Sequence, residues 1–185
     1  MDPLEHVKYP IGRFEMDRND WPLETLLQQV IRIQQLPAEL SKLLNGVDKD
    51  GLQAQYRPGS WTVLQILHHL ADAHMNAWVR TKLVLTEDNP IIKPWDENAW
   101  VQGPDYGYAH EASFMLLLGL HQRWSLLLLD CLKKPELLTR TFFHPEHQKT
   151  FSLAWLIAMY GWHGHHHLAQ IQIALAAGPE PGSAG

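Results

Sequence analysis

The chain has 185 residues, 45% of them hydrophobic and 19% charged, with a formal net charge of −5. This is the composition of a soluble globular protein with a core large enough to fold alone. No basic cluster is present, so binding to a phosphate backbone lacks its positive field and nucleic acid is excluded as a partner.

The opening stretch, Met1 to Phe14, has no basic run followed by an apolar one, so no signal peptide is expected. Asp20-Trp21-Pro22 marks a helix start with Pro22 at the first helical position, and Leu23, Leu26, Leu27, Val30 and Ile33 follow at helical spacing. Pro37 is expected to kink or interrupt this helix and Gly46 to end it. Arg57-Pro58-Gly59-Ser60 is a turn, with Ser60 as N-cap of a second helix running to about Leu85. Thr86 to Tyr108 holds three prolines and two glycines and reads as a long loop. Because it also carries Trp95 and Trp100, an ordered cover is expected there. A third helix is predicted from about Ala109 to Leu132. Its leucine-rich run is broken by His121-Gln122-Arg123, so a membrane span, which needs about 20 apolar residues, is not expected. Lys133 to Lys149 forms a second connection with a short extended stretch at Arg140 to His144, and a fourth helix runs from near Ser152 to about Ala176. The Gly/Pro/Ser-rich residues 178–185 are expected to be a disordered tail. The whole reads as one all-α domain, residues 1–177, folded as an up-down-up-down four-helix bundle with a long loop between helices two and three. The single cysteine, Cys131, sits among leucines as a small core residue; it rules out an intrachain disulfide and fits a cytoplasmic location.

Twelve histidines and eight tryptophans stand out. Stepping along the fourth helix by four and three gives the seam Leu156, Tyr160, His163, His167, Gln170, Ala174, with two histidines one turn apart on the buried face. The second helix gives Thr62, Ile66, His69, Ala73, Asn76, Arg80, Leu83. In an up-down-up-down bundle helices two and four run parallel, and counting from Ser60 and Ser152 puts His69 and His163 at similar depth, within about one turn. Three buried imidazoles with unsatisfied polar atoms are costly, and a divalent ion taking neutral nitrogens resolves the cost. The alternative is a set of core histidines hydrogen-bonded to neighbouring helices. Several ligand pairings remain open within Trp162-His163-Gly164-His165-His166-His167.

Tyr9-Pro10-Ile11-Gly12, Arg57-Pro58-Gly59-Ser60-Trp61-Thr62-Val63, His68-His69-Leu70-Ala71-Asp72-Ala73-His74-Met75-Asn76 and Tyr160-Gly161-Trp162-His163-Gly164-His165-His166-His167-Leu168-Ala169 resemble the YfiT-like branch of the DinB superfamily. Leu85-Thr86-Glu87-Asp88, Lys93-Pro94-Trp95-Asp96, His121-Gln122-Arg123-Trp124 and Phe143-His144-Pro145 do as well, so the resemblance spans about Tyr9 to Ala176. It implies a four-helix bundle holding one divalent ion per chain, zinc or nickel, on His69, His163 and His167, with His68, His165 and His166 outside the ligand set. It also implies a cytosolic homodimer and a metal-dependent hydrolase, or, by relatives, an S-transferase acting on a low-molecular-weight thiol.

Three protein ligands leave a position open on the ion, as catalytic zinc sites do. The open position serves either hydrolysis by activated water or transfer of a thiol to an electrophile. A metal-binding module without catalysis is the third reading. Around the ligands, Asp72 is placed to orient His69, and Asn76 and Arg80 to bind a carboxylate of a small-molecule substrate. Asp96 or Glu97 is placed to supply a general base. His121, His144, Tyr106 and Tyr108 are weaker pocket candidates, and Trp61 and Trp162 flank the ligand helices.

Overall fold

The computed structural model describes residues 4–177. A one-turn helix, α1 (Glu5–Lys8), precedes the first long helix, α2 (Leu23–Leu43); a short α3 (Lys49–Gln53) leads to the second, α4 (Val63–Thr86). The long connection that follows folds into α5 (Glu97–Val101) and a 3-10 turn (Pro104–Gly107) before the third long helix, α6 (Glu111–Leu132). Then come α7 (Pro135–Leu138), the hairpin β1 (Thr141–His144) and β2 (Lys149–Ser152), and the last helix, α8 (Leu153–Ala177). β1 and β2 pair antiparallel with Phe142 opposite Phe151. The extended stretch expected at Arg140 to His144 is therefore one arm of a hairpin. The expected tail, residues 178–185, lies outside the described residues.

Local chemistry sets the helix ends. α4 opens on a capping box: Thr62 Oγ1 accepts from the Gln65 N–H at 3.2 Å, and Gln65 Oε1 accepts from the Thr62 N–H at 2.9 Å. The start thus falls two residues beyond the expected cap, Ser60, whose hydroxyl accepts from the Arg57 N–H within the turn. The Ser152 hydroxyl accepts from the Trp155 N–H at 3.1 Å and opens α8. α2 does not stop at Pro37; it runs through it to Leu43. The carbonyl that Pro37 leaves without a helix partner, that of Ile33, accepts from His121 Nδ1 on α6 at 2.5 Å.

The bundle is present, but its helix directions are not up-down-up-down. Gln29 and Leu36 on α2 meet Gly161 and Gly164 on α8, so these two helices run parallel. His68, His74 and Thr81 on α4 meet Ser113, His121 and Trp124 on α6, so these run parallel as well. His69, His74 and Arg80 meet His167, His163 and Tyr160, which makes α4 and α8 antiparallel. The order is up-down-down-up, with α2 packed on α6 and α8, and α4 packed on the same two. Two features make this possible. The connections between the long helices are long enough to cross an end of the bundle, which short αα-turns are not. The missing side chains at Gly161 and Gly164 admit α2: a Cβ on Gly161 would lie 2.9 Å from Gln29 Cα, and one on Gly164 2.6 Å from Leu36 Cδ2.

Apolar packing fills both ends. One end gathers Leu26, Val30, Trp124, Leu128, Leu153 and Ile157; the other gathers Leu36, Leu40, Leu67, Leu70, Leu117 and Ile171. Between them lies a layer of buried histidines. α6 is the one described helix long and apolar enough by length and composition to cross a membrane. Here its inner face, with His121, Trp124 and Ser125 buried, belongs to the bundle.

Candidate metal centre

α4 and α8 bring His69, His163 and His167 together, one nitrogen from each lying within 4.8 Å of the others. The antiparallel pairing does this as well as a parallel one would, because His69 sits early in α4 and faces the middle of α8. Hydrogen bonds select the atom each ring presents. His167 Nδ1 donates to Gln170 Oε1 at 2.8 Å, leaving its Nε2 with a lone pair. His163 Nδ1 meets His74 Nε2 at 3.1 Å, and His163 Nε2 lies 3.3 Å from His69 Nε2. That separation suits a divalent ion, since tetrahedral nitrogen ligands at about 2.0–2.1 Å from a metal are about 3.3 to 3.4 Å apart. His69 Nδ1 is buried without a hydrogen-bond partner among the described residues, its ring held between Trp61 at 4.6 Å and Trp95 at 5.8 Å. All three rings have pKa values well below the ordinary histidine range, first because burial penalises the charged form and then because they face one another. Three neutral, converging imidazoles fit a soft-to-borderline divalent cation.

The remaining histidines of the two motifs are occupied elsewhere. His68 bonds Ser113 Oγ at 2.8 Å and the Tyr108 carbonyl at 3.1 Å, joining α4 to the start of α6. His165 faces Glu39, and His166 stacks on Trp162 and meets the Gln170 amide. Among the described residues, His69, His163 and His167 form the group whose ligand atoms lie close enough together to hold an ion.

The loop before α6 is an ordered cover, with Trp95 against both His69 and Trp100. Asp72 does not orient His69: its Oδ2 accepts from the Tyr106 hydroxyl at 2.7 Å and ties the cover to α4. Burial raises the Asp72 pKa, partly offset by that bond. Asn76 is likewise not turned to the cluster; its amide donates to the Asp72 carbonyl of its own helix. Arg80 does reach the neighbourhood. It donates to Tyr160 Oη at 3.1 Å and to the Lys93 carbonyl at 3.3 Å. It also lines a cavity of about 220 Å³ that reaches His163. Glu97, His144 and Glu146 share that wall. Of the two loop carboxylates, Asp96 caps α5 through the Ala99 N–H, whereas Glu97 faces the cavity with its pKa raised by burial and then by Glu146. Burial, then His147 and Arg80, lowers His144 to about 4. A second cleft is lined by Tyr9, Arg57, Trp61 and His167. Cys131 is buried in the apolar end and Tyr108 is exposed.

Gln170, His74 and Tyr160 were not singled out for roles by the sequence. One signal was available: a proline inside a helix frees a carbonyl, and a buried histidine in a leucine-rich helix needs an acceptor.

A helix bundle whose interior brings three neutral histidines together defines a helical protein with a candidate metal site. The family model described as the DinB superfamily matches residues 32–171, and the chain belongs to that superfamily. It is 43% identical over 171 residues to a protein of Oceanobacillus iheyensis named "putative metal-dependent hydrolase", covering 89% of this chain and 93% of that one. It is 42% identical over 170 residues to a Bacillus cereus protein of the same name, covering 91% and 95%. Among solved structures it is similar to YfiT from Bacillus subtilis, described as "a probable metal-dependent hydrolase with an unusual four-helix bundle topology". The TM-score is 0.83 at 38% identity, covering 90% of this chain and 94% of that one.

Proposed function

We propose that this protein is a metal-dependent hydrolase in which His69, His163 and His167 hold one divalent ion, zinc or nickel, beside a small-molecule pocket. The observation that carries the reading is the convergence of three neutral imidazoles next to the cavity lined by Arg80 and Glu97. When bound, such an ion supplies Lewis acidity that lowers the pKa of water from about 15.7 toward 7 and polarises a carbonyl. The chain's own groups do the rest. Arg80, steadied by Tyr160 and the Lys93 carbonyl, offers its guanidinium to a substrate carboxylate. Glu97, with its raised pKa, holds or takes a proton at the cavity wall. Trp95 and Trp61 shield the cluster from bulk water.

One observation favours a second reading. The cluster borders two clefts, one lined by His163 and the other by His167. Hydrolysis needs one organic substrate, whereas transfer of a low-molecular-weight thiol to an electrophile needs two. The test is to assay the zinc- and nickel-loaded protein on esters and amides without thiol, and on a low-molecular-weight thiol together with a carbon electrophile. Substrate loss without thiol supports hydrolysis; a thioether formed only with thiol supports S-transfer; inactivity in every arm, with the ion retained, leaves a metal-binding module. The reading includes a cytoplasmic homodimer. The dimer is supported by the outward face of α6, where Met115, Leu116, Leu118 and Leu126 are exposed. Light scattering on the wild type and on Leu126→Glu tests it.

A further inference from the structure

Two fully buried histidines outside the ligand set form a file leading away from it. His163 Nδ1 meets His74 Nε2 at 3.1 Å, His74 Nδ1 meets His121 Nε2 at 2.8 Å, and His121 Nδ1 meets the Ile33 carbonyl at 2.5 Å. The far end of the file allows only one arrangement. A carbonyl accepts and never donates, so His121 Nδ1 carries the proton. That carbonyl is open to a side chain because Pro37, four residues on, has no N–H to give it. His121 is neutral in this setting, burial holding its pKa at about 4. A neutral imidazole has one N–H, so His121 Nε2 is a bare acceptor and His74 must donate from Nδ1. His74, fully buried, is an imidazole with one N–H, and the contact to His121 places it on Nδ1. Its Nε2 is then bare, and His163 must donate from Nδ1. The lone pair on His163 Nε2 is left facing His69 Nε2 at 3.3 Å.

We infer that His74 and His121 are positioning residues that lock His163 in the Nδ1–H tautomer, so that its Nε2 lone pair is always presented to the ion, with the carbonyl freed by Pro37 as the anchor. This rests on the metal reading above. His167 obtains the same arrangement in one step from Gln170. His163 obtains it through two intervening rings and a proline on a third helix. In the opposite tautomer, His163 would aim an N–H at the ion and lose the contact.

Two measurements test this. In histidine-15N-labelled, zinc-loaded wild type at neutral pH, long-range proton–nitrogen correlations should show Nδ1–H on His121, His74 and His163. An Nε2–H on His74 or His163 would overturn the relay. Zinc affinity by chelator competition should fall about 10- to 100-fold in His121→Leu, the usual cost of losing a partner behind a metal-ligating histidine. It should stay near the wild-type value in His121→Gln, which keeps one acceptor and one donor. Unchanged affinity in His121→Leu, or equal losses in both variants, would overturn the relay and leave the metal site standing. Failure of the wild type to bind zinc would instead remove the site itself. Should His121→Leu not fold, the tautomers of the wild type still decide.

Discussion

The apolar ends of this bundle and the histidine layer between them are built on different principles. At the ends, Leu26, Leu128, Leu40 and Ile171 are held by burial, which is non-directional and tolerant of how side chains interlock. In the layer, His163, His74, His121 and the Ile33 carbonyl are held by donors that each have one acceptor. The ends therefore make the bundle stable, and the layer makes it specific. Damage to the two should separate cleanly.

The largest effect on stability is expected at the ends. Leu128→Ala or Leu40→Ala, both fully buried, should cost about 2–5 kcal/mol in urea unfolding. The folded variants should keep wild-type metal content; loss of the ion in step with stability would erase the distinction. Next is His163→Ala. Zinc at about 100 times its dissociation constant should stabilise the wild type by about 2.7 kcal/mol, and thermal melts should show no zinc-dependent rise in the variant. A rise equal to the wild type's would place the ion elsewhere.

A smaller effect is expected from pH. His121 and His144 are held at about 4 in the folded chain, below the ordinary histidine value of about 6.5. Between those values the unfolded chain binds protons that the folded chain does not. Their contribution is therefore complete above about 6.5 and declines as pH falls toward 4. Urea midpoints of metal-free protein should drop between about pH 7 and about pH 5, and a flat profile would contradict the buried, neutral layer. The smallest effect is that of Tyr106→Phe. Removing the bond to Asp72 should cost about 0.5–1.5 kcal/mol and speed hydrogen exchange in the cover, leaving metal content unchanged.

Much of the ends was legible in the sequence because helical periodicity is local. Leu23 to Ile33, the seam from Leu156 to Ala174 and the turn at Arg57 to Ser60 each report their own element within a few residues. His69, His163 and His167 stood out as candidates for the same reason, each lying on a buried seam, and the family resemblance set them apart from His68, His165 and His166. Direction and partnership were not. The up-down-down-up order depends on which helices pack, and Gly161 and Gly164 matter only because α2 lies against them. Asp72 sits one turn from His69 in the chain, yet its partner, Tyr106, lies 34 residues away. Pro37 reads as a helix breaker until His121 is known to stand opposite the carbonyl it frees.

The central claim is that the layer holds one divalent ion on three histidines. Elemental analysis of untagged protein, purified without nickel resin and compared with His163→Ala, tests it most directly. About one zinc or nickel per chain in the wild type and none in the variant is the expected result. A wild type that retains no ion after zinc or nickel is supplied and the excess removed would contradict the claim.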